Sequence, residues 1–144
     1  MRGATILPAM PPEVAAAFDA FSDPARTCLL AIRRLIFEMA ERSAGVGPLT
    51  EALRWGEPAY LTEATGSGST IRLGLSKQPA GQCAIFFNCR TVLVETFRRH
   101  FPDALAYQGN RAILLKPCAP LPEAPLALCL AMALTYHRTH HRSP

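Results

Sequence analysis

The sequence contains no long hydrophobic run and no recognisable export signal. In a chain of 144 residues, no apolar stretch reaches the roughly 18 residues that a membrane-spanning helix needs. The longest candidate, residues 124–134, is too short. The N-terminal segment MRGATILPAMPP lacks the apolar centre of a secretory signal. We therefore expect a cytoplasmic protein without a membrane partner.

The short motifs that mark familiar catalytic and nucleotide sites are also absent. The chain has no G-x-S-x-G elbow, no Walker loop, no H-E-x-x-H zinc motif and no G-x-G-x-x-G fingerprint. The Gly-Ser segment at residues 66–69 lacks the lysine of a phosphate-binding loop. No pair of carboxylates is spaced for acid–base catalysis. These absences favour a binding protein over an enzyme, and we expect no cofactor.

Cysteines are present, but not in paired motifs. The chain has five cysteines, an odd number, and no Cys-x-x-Cys sequence. With no export signal, this pattern is typical of free thiols in a reducing compartment. Cys89 lies between an apolar strand-like segment and a helix, where a thiol can become reactive. A small enzyme that uses Cys89 or Glu57 is therefore the third of the functions considered.

Charge is sparse and unevenly distributed. Charged residues make up 18% of the chain, and the net charge is +4. Residues 1–63 carry six Arg and eight acidic residues, whereas residues 64–144 carry nine Lys or Arg and three acidic residues. A basic half can attract anions. No run of Lys or Arg exceeds two residues, which argues against a nucleic-acid partner.

The spacing of apolar residues predicts a single α+β domain over residues 1–144, with an antiparallel sheet flanked by helices. Residues 1–11 would form an N-terminal arm, and residues 139–144 a flexible basic tail. Residues 49–55 are predicted to add one helical turn. The predicted helices cover residues 13–21, 23–42, 91–101 and 123–138, and the predicted strands cover residues 59–61, 71–76, 83–87, 105–107 and 111–115.

One of these strands should lie at the centre of the sheet. Residues 83–87 (CAIFF) are apolar throughout, which is typical of a strand covered on both faces. The helices on either side should bury their apolar stripes against it. We therefore predict that Leu35, Phe86, Phe97 and Leu130 meet in one hydrophobic cluster.

Two polar segments are candidate parts of a ligand site. Trp55, Glu57 and Tyr60 place an indole, a carboxylate and a phenol within six residues, which suits the wall of a ligand pocket. Asn88 and Arg90 lie between a strand and a helix, where backbone N–H groups can bind anions. A structural corner at the first segment and simple helix capping at the second are the alternatives.

The histidines near the C-terminus are candidate metal ligands. His137, His140 and His141 would share one face of a continuing helix, and imidazoles at that spacing can bind a transition metal. The alternative is a solvated basic tail, because arginines lie among the histidines and no carboxylate is close in sequence.

Four segments together resemble one known family. They are LRWGEPAYL (residues 53–61), CAIFFNCRTVLVETFRRHFPD (83–103), YQGNRAILL (107–115) and ALTYHR (133–138). The chain resembles, over residues 12–139, the YdhG-like family of bacterial proteins, a domain of unknown function numbered 1801. The resemblance implies an antiparallel sheet flanked by helices and assigns no catalytic residue. One member is described as a frataxin-like iron chaperone, which implies the alternative of an intracellular iron carrier.

Taken with the absent motifs, these observations favour a non-enzymatic cytoplasmic module that binds a small molecule or a protein. A metal carrier is the first alternative.

Overall fold

Six strands form one antiparallel sheet in the computed structural model, which describes residues 5–140, with side chains through residue 138. The strand order is β1-β2-β3-β4-β6-β5. This arrangement confirms the predicted α+β class. The strands are β1 (Thr50–Arg54), β2 (Glu57–Leu61), β3 (Ile71–Lys77), β4 (Ala80–Phe87), β5 (Ala106–Gln108) and β6 (Ala112–Leu115).

The helices enclose the main hydrophobic core against one face of the sheet, which we call the inner face. Within the described residues they are α1 (Pro12–Asp19), α2 (Asp23–Arg42), α3 (Leu93–His100), α4 (Glu123–Leu134) and α5 (Tyr136–His140). The longest, α2, packs on β3, β4 and α4 and buries the apolar side chains that recur at helical spacing. Across residues 5–140, no helix is long and apolar enough to cross a membrane.

The predicted helical turn at residues 49–55 is wrong, because this segment forms strand β1. Its residues have good helix propensity, but they pair in register with β2, from Thr50 with Leu61 to Arg54 with Glu57. Glu51 pairs with Tyr60 on the inner face. Strand pairing therefore overrides the local preference of the segment.

The predicted continuous helix at residues 123–138 is interrupted at Thr135. The loop before β3 packs against the end of α4, where Ser69 N–H donates to the Ala133 carbonyl at 2.8 Å and Ser67 Oγ donates to the Leu134 carbonyl at 2.8 Å. These bonds satisfy carbonyls that the next helical turn would otherwise use. The chain then continues as α5. Residues 141–144 of the predicted tail lie outside the described residues.

The predicted cluster of four apolar side chains is wrong in one member. Leu35, Phe97 and Leu130 share the main core, whereas Phe86 lies on the opposite, outer face of the sheet. Side chains alternate along a strand, so the neighbouring Phe87 faces inward instead, with its ring centroid 5.1 Å from that of Phe97. Phe86 joins a small outer cluster with Ala84, Ala112 and Leu114.

Candidate functional site

A pocket of about 500 Å³ opens at one end of the outer face. Its walls come from the β1–β2 turn, the start of β3, the end of β4 and the start of β6. We call it the arginine pocket, because three of its side chains are arginines. The lining residues are Arg54, Trp55, Thr70, Arg72, Phe87, Asn88, Cys89 and Arg111.

An ion pair beside the pocket lies over an aromatic ring. The Arg72 guanidinium forms a salt bridge with Glu57 and lies 5.2 Å from the centroid of the Phe86 ring. The Arg72 and Glu57 side chains keep 24% and 26% of their surface exposed, so water and ligands can reach the pair. A Cβ on Gly74 would collide with Glu57 Oε2. A glycine at this position therefore makes room for the carboxylate.

Glu57 experiences opposing influences on its charge. Burial raises the pKa of its carboxyl above the ordinary value, and the nearby positive charges of Arg72, Arg111 and Lys77 oppose that increase. The Glu57 carboxylate is thus bound to Arg72 and partly shielded from water. A competing anion that displaced it from Arg72 would meet a guanidinium already positioned for recognition.

Arg111 contributes the least compensated positive charge of the pocket. Its guanidinium lies 5.6 Å from the centroid of the same Phe86 ring, so Arg72 and Arg111 both contact one aromatic side chain. Among the described residues, no carboxylate forms a salt bridge with Arg111. Arg54 approaches Glu63 at 3.7 Å, but both side chains are largely exposed, so that pair is weak.

Trp55 occupies a strained position at the mouth of the pocket. Trp55 and Gly56 form the two-residue turn between β1 and β2, and both have positive φ, 57° and 76°. Such turns favour Asn, Asp or Gly, because a Cβ in the left-handed region costs roughly 1–2 kcal/mol. Trp55 is also 89% exposed, so burial of its indole offsets little of that cost.

The turn after β4 places two further polar groups in the pocket. Asn88 Oδ1 accepts a hydrogen bond from the Arg90 backbone N–H at 2.9 Å, and Asn110 Nδ2 donates to the Cys89 carbonyl at 2.9 Å. Asn88 thus closes a turn ahead of α3. These bonds fix the segment so that Asn88 and the exposed thiol of Cys89 line the pocket.

The structure brings together some of the predicted site residues and separates others. Trp55 and Asn88 line the arginine pocket, and Glu57 adjoins it through Arg72. Arg90 is exposed but is not one of the lining residues. Tyr60 is fully buried on the inner face, where its hydroxyl donates to Glu51 Oε2 at 2.8 Å.

Three arginines of the pocket were not among the predicted site residues. Arg54, Arg72 and Arg111 come from separate segments, and only the register of the strands brings them together. A partial signal was present, since Arg72 alternates with the buried Ile71 and Leu73 and must therefore lie on the opposite face.

Of the three predicted metal ligands, only His137 has a side chain within the described residues. His137 is exposed, its ring lies 5.3 Å from that of Tyr136, and its backbone N–H donates to the Ser67 carbonyl. The side chain of His140 and the whole of His141 lie outside the described residues. Within the described part of the chain, no three His, Cys, Asp or Glu side chains are grouped to hold a metal ion.

All five cysteines are free thiols in the structure. Cys28 and Cys83 form a buried pair that sequence spacing did not indicate, with one thiol on α2 and the other on β4. The Cys83 thiol donates to the Ala25 carbonyl at 3.8 Å, and its interaction with the Cys28 side chain, together with burial, raises its pKa above the ordinary value. Cys89 and Cys118 are the exposed thiols.

Comparisons of the chain with family models, with curated proteins and with solved structures gave no match. The resemblance to the YdhG-like family, and the iron-carrier alternative that it implies, therefore stay predictions.

Proposed function

We propose that this protein is a non-enzymatic cytoplasmic binding module that holds a small anionic molecule in the arginine pocket. The observation that carries the proposal is the convergence of Arg54, Arg72 and Arg111 on one open cavity. Guanidinium groups bind carboxylates and phosphates through paired hydrogen bonds. The cavity volume of about 500 Å³ suits a small molecule.

The charge balance supports an anion as the ligand. Glu57 partly neutralises Arg72, and Glu63 approaches Arg54, but Arg111 has no such partner among the described residues. Positive charge at this end of the sheet would repel cations, so the arginine pocket does not suit an iron carrier. A bound anion would supply the missing negative charge.

The residues that line the pocket support binding rather than catalysis. Among the described residues, neither a histidine nor a carboxylate lines the pocket. Cys89 thus lacks an adjacent general base to activate its thiol, and Glu57 already pairs with Arg72. The five free thiols are typical of a reducing compartment, which supports the cytoplasmic location.

A thermal-shift titration with sodium acetate, phosphate and benzoate, at constant ionic strength, tests the proposal. A ligand that binds only the folded state raises its stability by about 2.7 kcal/mol at a concentration 100 times its Kd. We expect at least one of these anions to raise the Tm in a saturable way. Failure of all three would contradict the proposal.

Arg111→Gln provides the variant, and Arg98→Gln provides its matched control. Arg98 is also exposed and also lies over an aromatic ring, 5.3 Å from the centroid of Tyr107, but it is not a lining residue. Both variants remove one positive charge. The saturable Tm increase should disappear in Arg111→Gln and persist in Arg98→Gln. An equal loss in both would show a general charge effect.

A further inference from the structure

The lining of the arginine pocket, taken as the anion site of the proposed function, also indicates which class of anion it accepts. Trp55 combines 89% exposure with a positive φ of 57° at a turn position suited to smaller residues. Folding gives no reason for an indole there, because the side chain is barely buried. A strained aromatic residue at the edge of a cavity points to a role in binding.

Planar groups already lie against one another beside the cavity. The guanidinium groups of Arg72 and Arg111 lie 5.2 and 5.6 Å from the centroid of the Phe86 ring. Trp55 supplies a large aromatic face on the cavity itself. A flat ring that entered the pocket could stack on the indole, while the arginines held its charged substituent.

The charge of the pocket favours a ligand with one negative charge. Arg72 and Arg54 each form a salt bridge with a carboxylate, whereas Arg111 forms none among the described residues and only interacts with Glu57 at longer range. A carboxylate supplies one charge, but a phosphate monoester carries about −1.5 to −2 at pH 7. We propose that the arginine pocket binds an aromatic carboxylic acid, with the carboxylate at Arg111 and the ring stacked on Trp55.

Calorimetric titration with a matched pair of probes tests this proposal. Benzoate and cyclohexanecarboxylate have the same charge and similar size, but only benzoate has a flat ring. We expect benzoate to bind about tenfold more tightly, as stacking of one ring would give. Equal affinities would overturn the inference about the ring while leaving the proposed anion site intact. Absence of binding by both would overturn the inference, and the acetate and phosphate titrations then decide whether the anion site itself stands.

Two variants separate the roles of ring and charge. Trp55→Asn should reduce the preference for benzoate to less than about twofold and retain weak binding of both probes, because Asn suits the turn but cannot stack. Arg111→Gln should weaken both probes equally. Retention of the benzoate preference in Trp55→Asn would overturn the inference. Phenyl phosphate serves as a third probe, and tighter binding than benzoate would contradict the assignment of a single charge.

Fluorescence adds a direct readout, because Trp55 is the single tryptophan of the chain. Without ligand, the neutral quencher acrylamide should quench its emission strongly. Saturating benzoate should protect it, and cyclohexanecarboxylate should protect it less. Protection that increases with protein concentration in the absence of ligand would place a second copy of the chain on Trp55 and overturn the inference.

Discussion

The two faces of the sheet carry similar ion pairs in different surroundings. On the inner face, Arg33 binds Glu51 and lies 5.0 Å from the centroid of the Phe37 ring. On the outer face, Arg72 pairs with Glu57 and lies over Phe86. The inner side chains are each 5% exposed, against 24% and 26% for the outer pair. Arg33 lies on α2, so its pair with Glu51 is enclosed between that helix and the sheet. The outer pair instead adjoins an open pocket.

The inner pair belongs to a network of hydrogen bonds. Arg33 donates to both carboxylate oxygens of Glu51, at 2.6 and 2.9 Å, and to the Pro8 carbonyl at 2.9 Å. The Tyr60 hydroxyl also donates to Glu51. Burial, and to a lesser degree the negative charge of Glu51, raises the pKa of the Tyr60 phenol above its ordinary value. An arginine–glutamate pair therefore stabilises the fold where it is buried, and it can take part in ligand recognition where it is exposed.

The largest loss of stability should follow from breaking the buried pair of Arg33 and Glu51. Glu51→Gln leaves Arg33 charged and buried without a carboxylate, which should cost about 3–5 kcal/mol of the free energy of unfolding. Glu57→Gln, the matched change on the outer face, should cost less than about 1 kcal/mol. Urea denaturation of both variants measures the difference. Similar losses would contradict the distinction between the two faces.

A comparably large loss should follow from truncation in the inner core. Phe97 is fully buried against Phe87, so Phe97→Ala should cost about 3–5 kcal/mol. Phe86→Ala should cost less, because arginine side chains rather than helices cover this ring, but it should weaken anion binding. Denaturant melts with and without benzoate separate the two effects. A loss below about 1 kcal/mol for Phe97→Ala would contradict the assigned core.

A smaller effect should appear in the pH dependence of binding. Glu57 competes with a ligand for Arg72, and protonation of Glu57 removes this competition. Burial raises the pKa of the Glu57 carboxyl above its ordinary value, although the positive charges of Arg72, Arg111 and Lys77 oppose the increase. The affinity for benzenesulfonate, which stays ionised, should therefore rise as the pH falls through that pKa, by up to about fivefold, the worth of one exposed ion pair.

Glu57→Gln is the control for that titration. The variant lacks the titrating carboxyl, so its affinity for benzenesulfonate should change much less over the same pH interval and should match the low-pH affinity of the unmodified protein. An unchanged pH dependence in Glu57→Gln would assign the effect to another group.

The smallest effect should be that of Trp55 on stability. Asn tolerates a positive φ better than Trp does, so Trp55→Asn should leave the free energy of unfolding unchanged or raise it by up to about 1 kcal/mol. Chemical denaturation without ligand provides the value. A loss above about 1 kcal/mol would show that the indole supports the fold.

Much of the fold could be predicted from the sequence where the apolar pattern has one clear period. The stripe along α2 and the alternation through Ile71 and Leu73 each indicate an element and its buried side. Strand β1 was missed because its residues favour a helix and only pairing with β2 makes it a strand. Phe86 was assigned to the wrong face because the next residue, Phe87, is also phenylalanine, and the apolar run does not show which of the two faces inward.

The pocket was harder to predict than the fold. Trp55 was predicted because an indole, a carboxylate and a phenol fall within six residues, and Asn88 because it lies between a strand and a helix. Both signals are local. Arg54, Arg72 and Arg111 look like ordinary surface charges, and their convergence depends on strand register. Register reflects pairing between distant segments, so a site built on it leaves little trace in any one segment.

The central claim is that the outer arginines are available to a ligand and the inner arginine is not. Nuclear magnetic resonance of the arginine Nε–H groups during a benzoate titration tests it most directly. We expect the signals of Arg72 and Arg111 to shift saturably with one common affinity, while that of Arg33 stays in place. Stationary outer signals, or an Arg33 shift as large as theirs, would contradict the account.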